Sequence, residues 1–204
     1  MTQTTEDQRA DDLTGYEVVV GVCGGIAAYK VCEVVSALAQ RGASVAVAMT
    51  RAAREFVGPV AFQALSGRRV LTSLWDEGQA ADIRHITLSG SADLMLVAPA
   101  TADVIARIAH GLADDVVTTL VVSAASPVVL APAMNDRMWA NPIVQRNVSV
   151  LRDAGFAMLG PAEGWLACRS VGPGRMIEPS EIVEAVSTTL KSQPPKRVGI
   201  GEVV

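Results

Sequence analysis

Aromatic residues are scarce, at 4% of the 204-residue chain, too few to suggest a surface that stacks nucleic-acid bases. Basic residues hold no surplus either. The formal net charge is -4, which removes the electrostatic case for a nucleic-acid partner. Histidine occurs only at His85 and His110. The three cysteines, Cys23, Cys32 and Cys168, form no CxxC pair and no even-numbered framework. They point to a reducing, cytoplasmic setting, and no metal is expected. No apolar run approaches the ~18 residues of a membrane span, so no membrane association is expected. The opening MTQTTEDQRADD is polar and acidic and lacks the apolar core of a signal peptide.

What is present is apolar and regularly punctuated. Hydrophobic residues make up 50% and charged residues 19%, a balance that excludes a disordered chain. A buried parallel sheet would absorb much of this apolar surplus, and a subunit interface more. YEVVVGVCGG reads as a buried strand closed by a glycine turn. The helix after it places Ile26, Val31, Val34, Val35 and Leu38 on one face and stops at Gly42. ASVAVAMT, DLMLVAPA and SPVVLAPAMN read as further strands. Helical segments follow each, interrupted near Gly58-Pro59 and near Gly111. NPIVQRNVSVLRDAG is a helix with Pro142 near its start and Gly155 at its end. FAMLGPAEGWLACRSVGPGRMIEP is short strand and loop, and a last helix is expected to be capped by Ser180. The repeated strand-helix order implies right-handed crossovers and an α/β fold: one Rossmann-like, doubly wound parallel sheet flanked by helices, the flavodoxin-like three-layer form. The expected limits are a flexible leader at 1–15, one domain at 16–191 and a flexible tail at 192–204.

In such sheets ligands sit beyond the carboxyl ends of the strands. That rule selects CGGIA, MTRAA, APATAD and APAMNDRMW, expected side by side along one edge. The turn GVCGGIAAYK offers free N–H groups and a helix dipole to an anion such as a phosphate, or is a tight turn without a ligand. It lacks the G-x-G-x-x-G spacing of a dinucleotide site. Thr101 either caps a helix or also holds a ligand. His85 is a proton exchanger near neutral pH, or a hydrogen-bonded surface or interface histidine. His110 reads as a helix-end histidine with no chemistry. Cys168 lies in a glycine-rich loop able to close over a ligand, and is a proton donor or an incidental thiol. Cys23 and Cys32 read as small buried hydrophobes. Asn135, set between Met134, Met138 and Trp139, needs hydrogen-bond partners that a ligand carboxylate or amide would supply.

Taken together, GGIAAYK, His85-Ile86, PATAD, PAMNDRMW, and Cys168 with Gly172 to Met176 resemble the flavin-dependent cysteine decarboxylases, from about Tyr16 to Leu190. PxMNxxMW is the specific element; the glycine turn is not. The resemblance implies FMN as cofactor, near Gly24, Gly25, Ile26, Thr50, Pro99, Ala100, Thr101, Asp103, Val104 and Ala131. It implies a homo-oligomer built from trimers, possibly a dodecamer, with His85 reaching a neighbouring subunit's flavin.

The implied reaction is decarboxylation of 4′-phosphopantothenoylcysteine, a small-molecule substrate, to 4′-phosphopantetheine, an intermediate of coenzyme A synthesis. Hydride removal from the carbon bearing sulfur gives a thioaldehyde, the electron sink for loss of CO₂. The resulting enethiolate is protonated and the hydride returned. His85, Asn135 and Cys168 are the implied catalytic residues: base or orienting group, carboxylate grip and proton donor. Asn135, Met134, Ala167, Arg169 and Met176 are the implied substrate contacts. The sequence departs from the family's usual pattern at Asp103, where asparagine is common, and at Arg169, where glycine is common. A carboxylate at 103 is tolerable near a phosphate only if it points away or meets a cation. An arginine at 169 would bind the substrate phosphate or stiffen the loop. The chain stops short of the ligase domain often fused to bacterial members, so the preceding condensation is expected from another protein. Other readings are a peptidyl-cysteine decarboxylase of lantibiotic-type peptide maturation, a flavin prenyltransferase, and a non-catalytic flavin-binding regulatory protein.

Overall fold

The computed structural model describes residues 11–75 and 87–196. Strands β1 (Glu17–Val22), β2 (Ser44–Met49), β3 (Leu94–Ala100), β4 (Val128–Pro132) and β5 (Ala157–Met158) form one sheet in the order β2-β1-β3-β4-β5. All its pairings are parallel. This is the flavodoxin-like 2-1-3-4-5 order, whose crevice lies between β1 and β3, where the connections diverge to opposite faces.

Strands β1 to β4 are buried on both faces, so their side chains alternate between two apolar layers. Val18, Val20, Val22, Val45, Val47, Leu94 and Leu96 share one cluster with helices α1 (Ala28–Gln40), α2 (Pro59–Ser66) and α7 (Pro179–Lys191). Val19, Ala46, Ala48, Met95 and Val97 face the other way, against α3 (Ala102–Ala109), α4 (Val116–Val122) and α6 (Pro142–Asp153). A Cβ on Gly21 would lie 2.7 Å from Val117 Cγ1, so a glycine there lets α4 approach the sheet closely. Beside the sheet lie a one-turn helix α5 (Asp136–Trp139) and an antiparallel hairpin, β6 (Ala162–Trp165) and β7 (Val171–Arg175).

Several expectations need correction. Ile26 precedes α1 and is 62% exposed, so it does not join the buried face of Val31, Val34, Val35 and Leu38. RAAREF forms only a short 3₁₀ turn, Ala52–Glu55. The cap of α7 is Glu178, not Ser180, because Pro179 takes the first helical position and Glu181 reaches back to the Glu178 N–H at 2.9 Å. The described residues just outside 16–191 pack against the domain. Leu13 is fully buried, and Asp12 bonds Arg41 and Lys191. The Lys196 backbone N–H donates to Asp93 Oδ1 at 2.7 Å. The packed unit therefore includes residues 11–15 and 192–196.

Candidate functional site

A cavity of about 1280 Å³ opens along the carboxyl edge of the sheet. Its floor is the glycine turn after β1. A Cβ on Gly24 would lie 2.4 Å from Ala52 Cβ, so the 3₁₀ turn after β2 presses against the glycine backbone. A Cβ on Gly25 would approach Thr101 and Pro99 no closer than 3.7 Å, leaving a shallow cradle. The turn leads into α1, which has neither a side-chain cap nor an acid in its first turn. The Ala28 and Lys30 amides donate to the Gly25 and Ala27 carbonyls at 2.9 and 3.0 Å, so what the helix start offers an anion is its uncompensated dipole. Thr50, which accepts the Ala53 N–H at 3.2 Å, and Thr101, which accepts the Val104 N–H at 3.3 Å, line the same cavity.

Asp103 does meet a cation. Its Oδ2 accepts from Arg107 Nε at 2.9 Å, and Arg107 also binds Asp114 at 2.7 Å. That guanidinium holds the Asp114 carboxyl below its usual range.

The opposite wall comes from β4, α5 and the hairpin. Asn135 is the N-cap of α5: its Oδ1 accepts the Met138 N–H at 2.7 Å. Asn135 is exposed to the cavity rather than stranded among the thioethers. Among the described residues its Nδ2 has no hydrogen-bond partner, so the amide keeps its two donors for a ligand while its oxygen caps α5. Cys168 sits at the hairpin tip, exposed, with Sγ 3.1 Å from Ser170 Oγ. Arg169, also exposed, has φ 66. The carbonyl of Leu166 accepts from Arg169, and its N–H donates to Ser170. This is a three-residue hairpin loop whose last position is left-handed, a geometry that favours glycine.

The cavity therefore unites Gly24, Gly25, Ile26, Thr50, Thr101, Asp103 and Val104 with Met134, Asn135, Ala167, Cys168 and Met176. Pro99, Ala100 and Ala131 are buried in the strands behind it, and Arg169 is not among its lining residues. His85 and Ile86 lie outside the described residues. His110 ends α3 with Nδ1 2.8 Å from the Ala106 carbonyl, as a helix-end histidine should. Cys23 is fully buried, and burial holds its thiol well above the usual value. Cys32 is half-buried on α1.

The sequence reading missed the charged walls: Lys30, Arg51 and Arg175 also line the cavity. Lys30 and Arg175 both pair with Glu178, and Lys30 Nζ is 3.0 Å from its Oε2. Lys30 and Arg175 lay inside quoted motifs and Arg51 inside MTRAA, but no local pattern turns them toward a common space.

Fold and site define a class: a doubly wound α/β protein whose ligand crevice lies at the β1/β3 switch point. Within that class, the chain belongs to the Flavoprotein family, whose profile matches residues 6–191. It is 50% identical over 171 residues to the coenzyme A biosynthesis bifunctional protein CoaBC of Vibrio cholerae serotype O1, covering 84% of this chain and 43% of that protein. The chain thus spans less than half the length of this curated relative. Among solved structures it is similar to the FMN-dependent cysteine decarboxylase SpaF, with 36% identity and a TM-score of 0.75 over 88% of this chain and 98% of that one. It is also similar to a PPC decarboxylase mutant complexed with pantothenoylaminoethenethiol, with 26% identity and a TM-score of 0.74 over 86% and 98%.

Proposed function

We propose that this protein is an FMN-dependent decarboxylase converting 4′-phosphopantothenoylcysteine to 4′-phosphopantetheine in coenzyme A biosynthesis. The observation that carries this reading is the meeting, in one cavity, of an uncapped helix start, a donor-only amide at Asn135 and a thiol at Cys168. The relatives named for coenzyme A biosynthesis and PPC decarboxylation support the substrate.

The residues present fit FMN. The open cradle at Gly25 and the uncompensated dipole at the start of α1 suit a phosphate-bearing planar ligand, held by Gly24, Gly25, Ile26, Thr50, Thr101 and Val104. When bound, the flavin supplies a reversible two-electron acceptor. Asn135 Nδ2 donates to the substrate carboxylate and holds it for departure. Met134 and Met176 give that carboxylate an apolar surround, which favours loss of charge as CO₂. The Cys168 thiol gives its proton to the carbon that lost CO₂. Leu166 and Ala167 beside it narrow access for water. His85 is assigned the base or orienting role.

The same reading carries a trimer-based homo-oligomer and a cytoplasmic location. Exposed Phe56, Val60 and Ile143 support an interface. No helix among the described residues is long and apolar enough to cross a membrane.

The test is a mass-spectrometric product assay on purified, yellow protein, with 4′-phosphopantothenoylcysteine and a cysteine-terminated peptide in parallel. Loss of CO₂ from the first, with a reduced thiol product, is expected. Turnover of the peptide alone, to an enethiol, overturns the reading in favour of a peptidyl-cysteine decarboxylase. A protein that stays colourless after reconstitution with FMN overturns the flavin assignment.

A further inference from the structure

We propose that Ser170 and Asp136 are positioning residues for the Cys168 thiol, a claim that rests on reading Cys168 as the proton donor. The hairpin closes through Leu166 and Ser170, and its three loop residues place Cys168 at the tip. A thiol at a tip has no packing to select its rotamer. Ser170 supplies the missing contact, with Oγ 3.1 Å from Cys168 Sγ. Ser170 Oγ in turn donates to Asp136 Oδ1 over a long 3.5 Å.

The direction of this chain follows from chemistry. A carboxylate only accepts, so the Ser170 proton points to Asp136 and a hydroxyl lone pair is left for the thiol. Asp136 is itself fixed. It is the first residue of α5, and a Cβ on Gly172 of β7 would lie 3.1 Å from its Cβ, so hairpin and helix are in close contact there. Asp136 also follows Asn135 directly, so the group that grips the carboxylate and the group that orients the thiol share one turn of helix.

The Cys168 S–H turns from Ser170 to the substrate about a sulfur that the contact has placed; the S–H bond breaks and a C–H bond forms at the carbon that lost CO₂. The electron pair for that bond comes from the enethiolate, whose carbon–sulfur bond becomes C=S. Cys168 is left as a thiolate. The Ser170 hydroxyl then rotates from Asp136 to donate to the thiolate sulfur, and water later returns the proton. Loss of Ser170 therefore impairs the step after CO₂ release far more than CO₂ release itself.

The experiment measures CO₂ release and the ratio of reduced to oxidised decarboxylated product in a single turnover of the full-length, FMN-loaded protein, with substrate limited to the bound FMN so that each oxidised product is balanced by one reduced flavin. Parent, Ser170→Ala, Ser170→Thr, Asp136→Asn and Asp136→Ala are compared. For Ser170→Ala and Asp136→Ala, reduced product is expected to fall about ten-fold, oxidised product to accumulate, and CO₂ release to drop no more than about two-fold, a modest loss for a group acting through the proton donor. Ser170→Thr, which keeps the hydroxyl, restores the parental ratio, and Asp136→Asn, which keeps an acceptor oxygen, stays close to it. A parental product ratio in Ser170→Ala overturns the proposal. So does a parallel fall in both steps with a raised KM, which would mean a purely structural hairpin, and so does failure of threonine to rescue. If the parent itself releases no CO₂, the decarboxylase reading fails first.

Discussion

The Met138 backbone N–H donates to Asn135 Oδ1 at 2.7 Å, and this bond decides what Asn135 can do. The carbonyl end of the amide is held by the cap of α5, which leaves the NH₂ end to serve a ligand. Aspartate caps a helix as well as asparagine does. Asn135→Asp should therefore leave folding stability within about 0.5 kcal/mol of the parent. It should still cut kcat/KM by roughly 10- to 100-fold, since a donor to a charged group is lost and a like charge takes its place. Steady-state decarboxylation alongside chemical denaturation separates the two effects. Unchanged turnover would remove Asn135 from the carboxylate grip.

Arg169 adopts φ 66, a backbone state that costs an ordinary residue more than glycine. Arg169→Gly should stabilise the protein by about 0.5–1 kcal/mol in urea denaturation, part of the relief being offset by glycine's greater freedom when unfolded. KM should not change, because Arg169 is not among the residues lining the cavity. A raised KM would return this side chain to the substrate site.

Gly24 is held against the 3₁₀ turn, with Ala52 carbonyl carbon 2.8 Å from where a Cβ would sit. Backbone cannot yield as a flexible side chain does. Gly24→Ala should cost about 1–3 kcal/mol as overpacking, and it should weaken FMN binding as the turn shifts, measured by recovery of free-flavin fluorescence. Parental stability and flavin affinity together would show that the turn has slack.

Asp12 carries a pH dependence. Hydrogen bonding from Arg41, joined by Lys191, holds its carboxyl well below the usual range despite partial burial. A depressed folded value means that the contribution is fully present above the unfolded value of about 3.9 and fades as pH falls below it toward the folded value. Asp12→Asn should cost about 1–2 kcal/mol at pH 7. The gap between parent and variant should close progressively below about pH 4. Denaturation curves at several pH values check this, and a gap that persists at the lowest pH would assign the effect to packing instead.

The sheet was legible because its signals are local. Strands such as EVVVGV and LMLVAPA are continuous apolar runs, and the turns closing them carry glycine, proline or threonine. Thr101 as a cap needed only its own neighbours. Two further details have local signals of their own. Glu181, three residues after Glu178, with Pro179 between them, marks the true start of α7. Arg107, four residues after Asp103, supplies the cation that makes the carboxylate tolerable. What was not legible depends on contacts across the chain. Ser170 and Asp136 are 34 residues apart, and Lys30 and Glu178 are 148 apart. No periodicity or motif links such pairs until the sheet and hairpin bring them together.

The hairpin is bolted at its base. The Met134 N–H donates to the Gly174 carbonyl at 2.9 Å, and a Cβ on Gly174, which has φ 135, would lie 2.3 Å from the Met134 carbonyl oxygen. The arm that carries Cys168 is thus a cantilever fixed beside the very turn that carries Asn135. Thermal swing at its free end changes the distance from thiol to ligand but leaves the mounting in place. Thiol and amide thereby share one frame of reference, independent of movements in the distant loops of the sheet.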